Sequence, residues 1–158
     1  MIRILDIGRN DGDPVSFWEM SRIKEGVISS IKEVLYSGVM KHPTGTLANS
    51  IQGYVTGQSI YIISEKPYAD AQDKGMASHV MWALLGKTIP IRIFERGQSR
   101  VIFRKATLQS FLNGGWVHPG ITAKQFVSRG VGAAMTGMSG MNWNLRSPVG
   151  IPRTPAAA

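Results

Sequence analysis

From Val15 to about Met40 the apolar residues Phe17, Met20, Ile23, Val27, Ile31, Val34 and Leu35 recur every three or four positions. Glu19, Arg22, Lys24, Glu25, Ser29, Ser30, Lys32 and Glu33 fall between them. That period predicts one long amphipathic helix, roughly 38 Å at 1.5 Å per residue. Asp13 is placed to cap it, and Pro14 suits a first helical position, where an N–H would be unpaired anyway. Gly26 inside the run costs up to about 1 kcal/mol against alanine and is the candidate for a close helix contact. Pro43 restricts His42 and ends the helix.

Beyond the helix the period changes to two. Ile51–Thr56 and Ser59–Ser64 read as paired strands about Gly57-Gln58, a two-residue turn with glycine where φ must be positive. Thr88–Glu95 and Arg100–Lys105 read as a second hairpin turning at Arg96-Gly97-Gln98-Ser99. Ile89, Ile91 and Ile93 alternate with Arg92, and Phe103 is expected inward, away from Arg104. Residues 2–7 alternate weakly, as a short edge strand would. Tyr68–Lys74 predicts a short helix closed by Gly75, and Thr107–Leu112 a helical turn broken by Asn113-Gly114-Gly115. Thr122 is placed to cap a helix from Ala123 to about Ala134, with Phe126, Val127 and Val131 inward. The mostly apolar stretch 76–87, with Met76, Val80, Trp82 and Leu84, is expected to be buried or to form an interface.

These elements sum to an α+β domain over residues 1–135. Its two β-hairpins form an antiparallel sheet, packed by the long N-terminal helix and a C-terminal helix. Residues 136–158 have no period and contain Gly137, Gly140, Pro148, Gly150, Pro152 and Pro155, the composition of an extended C-terminal arm. Met138, Met141, Trp143, Leu145, Val149 and Ile151 lie in it without a local core, which points to an interaction site. Capture by a neighbouring subunit is the first expectation, and folding back on its own domain the second.

Composition adds a polarity to this plan. The chain has 158 residues, no cysteine and a net charge of +8. Residues 1–95 carry ten Lys/Arg and ten Asp/Glu. Residues 96–158 carry Arg96, Arg100, Arg104, Lys105, Lys124, Arg129, Arg146 and Arg153 and no acid. The positive half favours DNA or an acidic protein surface as its partner. Met-Ile-Arg-Ile-Leu-Asp lacks the apolar run of a signal peptide, and no stretch reaches the length of a membrane span. A soluble protein made in a cytoplasm is therefore expected.

Candidate chemistry is sparse. His42, His79 and His118 form no metal-binding spacing, and no His-Glu-x-x-His, phosphate-cradling loop or Gly-x-Ser-x-Gly elbow occurs. Ser139 sits in the arm, a poor place for a rigid triad. Asp70 and Asp73 are i,i+3 neighbours that only folding brings to His118. A small hydrolase built on those three is the weakest reading. No enzyme activity, metal or cofactor is expected.

Three stretches carry a likeness: Pro43-Thr44-Gly45-Thr46-Leu47-Ala48-Asn49-Ser50-Ile51, Tyr68-Ala69-Asp70 with Gly75-Met76, and Trp116-Val117-His118-Pro119-Gly120. In that order behind a long helix they resemble the head–tail joining or tail-completion (neck) proteins of tailed bacteriophages, over roughly residues 15–135. The resemblance implies a structural virion protein at the head–tail junction, made in the host cytoplasm. It implies a cyclic homo-oligomer, hexamer or dodecamer, touching other neck, portal-side or tail proteins. Met76, Val80, Trp82, Leu84, Met138, Met141, Trp143, Leu145 and Ile151 are the expected interface residues. Arg96, Arg100, Arg104, Lys105, Lys124 and Arg129 would then face passing DNA or an acidic neighbour. The alternative, from another class, is a non-specific nucleic-acid-binding module in the basic C-terminal part.

Overall fold

The computed structural model describes residues 1–39, 45–95 and 97–148. In chain order the elements are β1 (Ile2–Arg9), α1 (Phe17–Val34, running into a π-helical turn Leu35–Val39), α2 (Thr46–Asn49), β2 (Ile51–Thr56) and β3 (Ser59–Ser64). There follow α3 (Ala69–Lys74), β4 (His79–Val80), a 3-10 turn Trp82–Leu84, β5 (Thr88–Glu95) and β6 (Gln98–Lys105). The chain continues through α4 (Leu108–Leu112), β7 (Val117–His118), α5 (Phe126–Met135) and β8 (Met141–Arg146). They divide into two units: residues 1–74 with 123–158, and residues 75–122 between them.

The first unit is built on a four-stranded sheet in the order β2-β3-β1-β8, each neighbouring pair antiparallel. Its chain order β1-α1-β2-β3-α5-β8 in that strand order is the split βαβ, ferredoxin-like arrangement. The fold is thus α+β, as the periodicities predict. The sheet itself differs from the expected pair of hairpins. Only β2–β3 belongs to it; β1 lies in its interior, not at its edge, and β8 comes from the expected arm. Residues 141–146 therefore fold back on their own domain. Leu5 and Ile7 pair with Leu145 and Trp143 in register, and Met138, Met141 and Leu145 pack against the core. The pattern of this strand is hard to read locally because it lies between Gly140 and Ser147-Pro148 and its outward positions are Asn142 and Asn144.

Helix α1 starts at Ser16, not at Asp13–Pro14. The Ser16 hydroxyl accepts from the Glu19 amide, and the Glu19 carboxylate accepts from the Ser16 amide. Met20, Ile23, Val27, Ile28 and Ile31 are buried along one stripe, while Phe17, on the same side of the helix but at its first residue, is exposed. Nothing approaches within 4 Å of where a Gly26 Cβ would lie, so that glycine serves no packing role. The close approaches are made by Gly53, against Ile28 and Lys24 of α1, and by Gly130 of α5, against Ile31. Helix α5 begins at Phe126 after Gln125 in a left-handed conformation, later than the predicted start at Ala123. The core of this unit holds Leu5, Ile7, Met20, Val27, Ile31, Ile51, Ile60, Ile62, Phe126, Val127 and Val131.

The second unit has little interior. Of its described apolar residues, Ala106 and Phe111 are buried. The β5–β6 hairpin forms a two-stranded sheet by itself, in register from Thr88↔Lys105 to Glu95↔Gln98. The two-residue β4–β7 pair and a Met76↔Ile121 bridge close the unit's entry and exit.

Candidate functional site

The three stretches behind the family likeness are architectural where they are described. Pro43, Thr44 and His42 lie outside the described residues. Gly45, at φ 73°, precedes α2 without a side-chain capping bond, and Thr46 is the helix's first residue. Leu47 and Ile51 are buried. In the second stretch, Asp70 and Asp73 of α3 face Arg3 of β1. Arg3 Nη2 donates to Asp73 Oδ2 at 2.6 Å, and Arg3 Nη1 to Asp70 Oδ1 at 3.1 Å. Asp73 Oδ1 also accepts the Val127 amide at 3.1 Å, in the first turn of α5. The two aspartates thus clamp β1, α3 and α5. They are structural anchors, while His118 belongs to the second unit and packs with that unit's own residues.

In the third stretch, Trp116 adopts φ 61° and its indole N–H donates to the Ser110 hydroxyl at 2.9 Å. The Gly120 amide donates to His118 Nδ1 at 3.0 Å, which sets the neutral ring's proton on Nε2. A side chain on Gly120 would meet the Met76 carbonyl at 2.7 Å. His118 stacks on His79, directly opposite across β4–β7, with centroids 5.2 Å apart. Sequence spacing alone does not bring these two histidines together; the strand register does. Among the described residues no group of three His, Asp or Glu could hold a metal ion.

The expected interface residues divide. Met76, Val80 and Trp82 are exposed and Leu84 is half-buried, so the 76–87 stretch is a surface. Trp82 stacks on Phe111 at 5.0 Å. Met138, Met141 and Leu145 pack against the first unit's core, and Trp143 stays 43% exposed on β8. Ile151 and Val149 lie outside the described residues, as does Arg96. Of the basic set, Arg100, Arg104 and Lys105 are exposed on β6, in the second unit. Lys124 and Arg129 belong to the first.

Two surfaces stand out. One is the pair of sheet edges in the first unit. Strands β2 and β8 each hydrogen-bond to one neighbour, leaving their outer rows of amides and carbonyls unpaired within the described residues. Strand β2 (Ile-Gln-Gly-Tyr-Val-Thr) carries no charge, and β8 carries only Arg146, which is tied to Asp6. Such edges lack the lysines and prolines that usually block pairing with other chains. The other surface is the β5–β6 hairpin. Phe94, Val101 and Phe103 share its open face with Pro90 and Arg92, and the phenylalanines are 72% and 71% exposed. Phe103 does point away from Arg104, as alternation requires, but that face is the uncovered one, which local alternation cannot reveal.

Ion pairs in the first unit make its stability acid-sensitive. The Arg146 side chain, then Ser59, hold the Asp6 carboxyl below its usual range by hydrogen bonding. Burial pushes Asp70 up, but Lys74 and Arg3 outweigh it and the net shift is downward. A lowered folded-state value contributes stability above the unfolded value and loses it as pH falls through the folded one. The melting temperature is therefore expected to be flat from neutral pH to about 5 and to drop below about 4. Arg146→Gln should shrink that drop. A melting temperature that rises on acidification would contradict the assignment.

Compared with protein-family models, curated proteins and solved structures, the chain matches none.

Proposed function

We propose that this chain is a structural virion subunit of a tailed bacteriophage, which assembles with copies of itself into a ring at the head–tail junction. One observation carries the reading: among the described residues the four-stranded sheet has two unpaired, nearly uncharged edges, β2 and β8, that run in opposite directions. The strands alternate in direction across the sheet, so β8 of one copy set against β2 of the next continues the antiparallel alternation. Such a head-to-tail junction is heterologous, and repeated heterologous junctions close into a ring when the rotation per copy divides the full turn, and otherwise run on as an open filament. Trp143 on β8 and Tyr54 on β2 are exposed at those edges and would be covered by the junction. The motif stretches support the same reading, because the likeness to neck proteins rests on connectors and not on a reactive pocket. Among the described residues no helix is long and apolar enough to cross a membrane.

Light scattering and negative-stain imaging of the purified chain test this. The wild-type chain is expected to form closed rings. Trp143→Lys and Tyr54→Lys, each placing charge on one edge, should give monomers with unchanged circular dichroism. Mixing the two variants leaves one junction intact, so the mixture should give a heterodimer and no ring. A wild-type chain that stays monomeric at tens of micromolar, or a mixture that stays monomeric, overturns the reading.

A further inference from the structure

The β5–β6 hairpin is the part of the molecule that the ring reading leaves unused. Its strands are eight residues each, with no third strand on either side among the described residues. A two-stranded ribbon with an apolar face is marginal in water unless something covers that face. The register lays out the uncovered face row by row: Lys105 beside Thr88, Phe103 beside Pro90, Arg92 beside Val101, Phe94 beside Ser99. Successive rows on one face are about 7 Å apart. A cation, an aromatic ring, a cation and a second ring therefore follow one another along the ribbon. Where the ribbon meets the segment after α4, Arg104 and Lys105 line a cavity of about 520 Å³ with Ser110, Gly115 and Trp116.

Charge chooses among the occupants. The second unit carries Lys87, Arg92, Arg96, Arg100, Arg104 and Lys105 against one acid, Glu95. Among the described residues only Arg100 of these has an ion pair, to Glu95 at 3.1 Å. A second copy would bring the same excess of positive charge to the contact, and like charges repel. A polyanion removes that penalty. A duplex would engage the cations but leave both phenylalanine rings facing water, because its bases are stacked inside. A single strand offers phosphates to the cations and base faces to the rings.

We propose that the β5–β6 ribbon binds single-stranded nucleic acid, with Phe94 and Phe103 stacking bases and Arg92 and Lys105, on the same face, contacting phosphates. This is a binding site separate from the sheet edges, and it stands whether or not the chain forms rings.

Fluorescence anisotropy with a labelled mixed-sequence single-stranded 20-mer tests it, using the full chain from 50 to 300 mM salt. Binding is expected at low salt, weakening as salt rises. Phe94→Ala/Phe103→Ala should weaken it at least tenfold with little change in salt slope, since stacking releases no counterions. Arg92→Gln/Lys105→Gln should reduce the slope by roughly 1.4, about 0.7 for each phosphate no longer neutralised. Both pairs lie on the open face, so circular dichroism should match the wild type, and light scattering should show an unchanged assembly state. Three results each overturn the proposal. One is no binding at 50 mM salt. Another is a duplex of the same sequence binding as tightly, with the phenylalanine variant indistinguishable from wild type. The third is polyglutamate displacing the strand as well as unlabelled oligonucleotide does, which would assign the face to an acidic protein. Loss of rings in the edge variants with strand binding intact separates this site from the proposed junction.

Discussion

Asp73→Ala is expected to cost about 3–5 kcal/mol of folding stability. The reason is the double duty of one buried carboxylate. Its Oδ2 faces the Arg3 guanidinium at 2.6 Å and its Oδ1 accepts the Val127 amide at 3.1 Å. Arg3 is 5% exposed, so losing its nearer partner leaves a cation out of water, with Asp70 at 3.1 Å as its remaining carboxylate. Breaking a buried pair from one side costs far more than the net worth of the pair, because the remaining charge keeps its desolvation penalty. The two duties can be separated. Asp73→Asn retains an oxygen for the Val127 amide and should cost less than alanine, the difference reading the helix contact. Arg3→Met alone should also be strongly destabilising, and Arg3→Met/Asp73→Asn should lose less than the two singles summed. Urea denaturation of the four variants measures this. Singles costing under about 1 kcal/mol, or strict additivity, would show that the clamp is not coupled.

Gly130→Ala is the second large effect, expected at about 2–3 kcal/mol, or a melting point roughly 5–10 °C lower. A Cβ there would lie 2.5 Å from Ile31 Cγ1, 2.6 Å from Ile31 Cα and 2.8 Å from Ile31 N. A side chain can rotate away; the backbone of α1 cannot, so the two helices must move apart and open the core around Val27, Ile31 and Val131. The gain in helix propensity, up to about 1 kcal/mol, is too small to offset this. Gly132 is the control, two residues along the same helix. Nothing lies within 4 Å of its would-be Cβ, so Gly132→Ala should be neutral or stabilising by up to about 1 kcal/mol. Equal effects at the two positions would sink the close-crossing argument.

Both predictions rest on residues that carry little local signal. Arg3 alternates with apolar neighbours in β1 and looks like an outward position, and Asp73 looks like any helix-surface acid. Each becomes critical only because α3 and α5 are brought to β1. The same is true of the hairpin. The alternation of Ile89, Ile91 and Ile93 gives the hairpin and its two faces, but not its register: Gln98 and Ser99, expected in the turn, are strand residues opposite Glu95 and Phe94, and which face is covered depends on what packs there. Phe103 is therefore assignable from the sequence to a face and not to an environment.

Spacing along the chain is enough for the local elements: α1 from its three-and-four period, β2–β3 from Gly57-Gln58, the second hairpin from its alternation. The concentration of positive charge beyond Glu95 is legible in the same way. These depend on interactions between residues close along the chain, which composition and periodicity record. Folding in three dimensions was needed to place β1 in the sheet interior, to make residues 141–146 its partner strand, to leave the second hairpin as its own sheet, and to set Asp73 against Arg3. Each of those joins residues far apart in the chain. Many pairings satisfy the same alternation of apolar and polar positions, and the choice among them is made by packing, buried charge and hydrogen bonding over the whole unit.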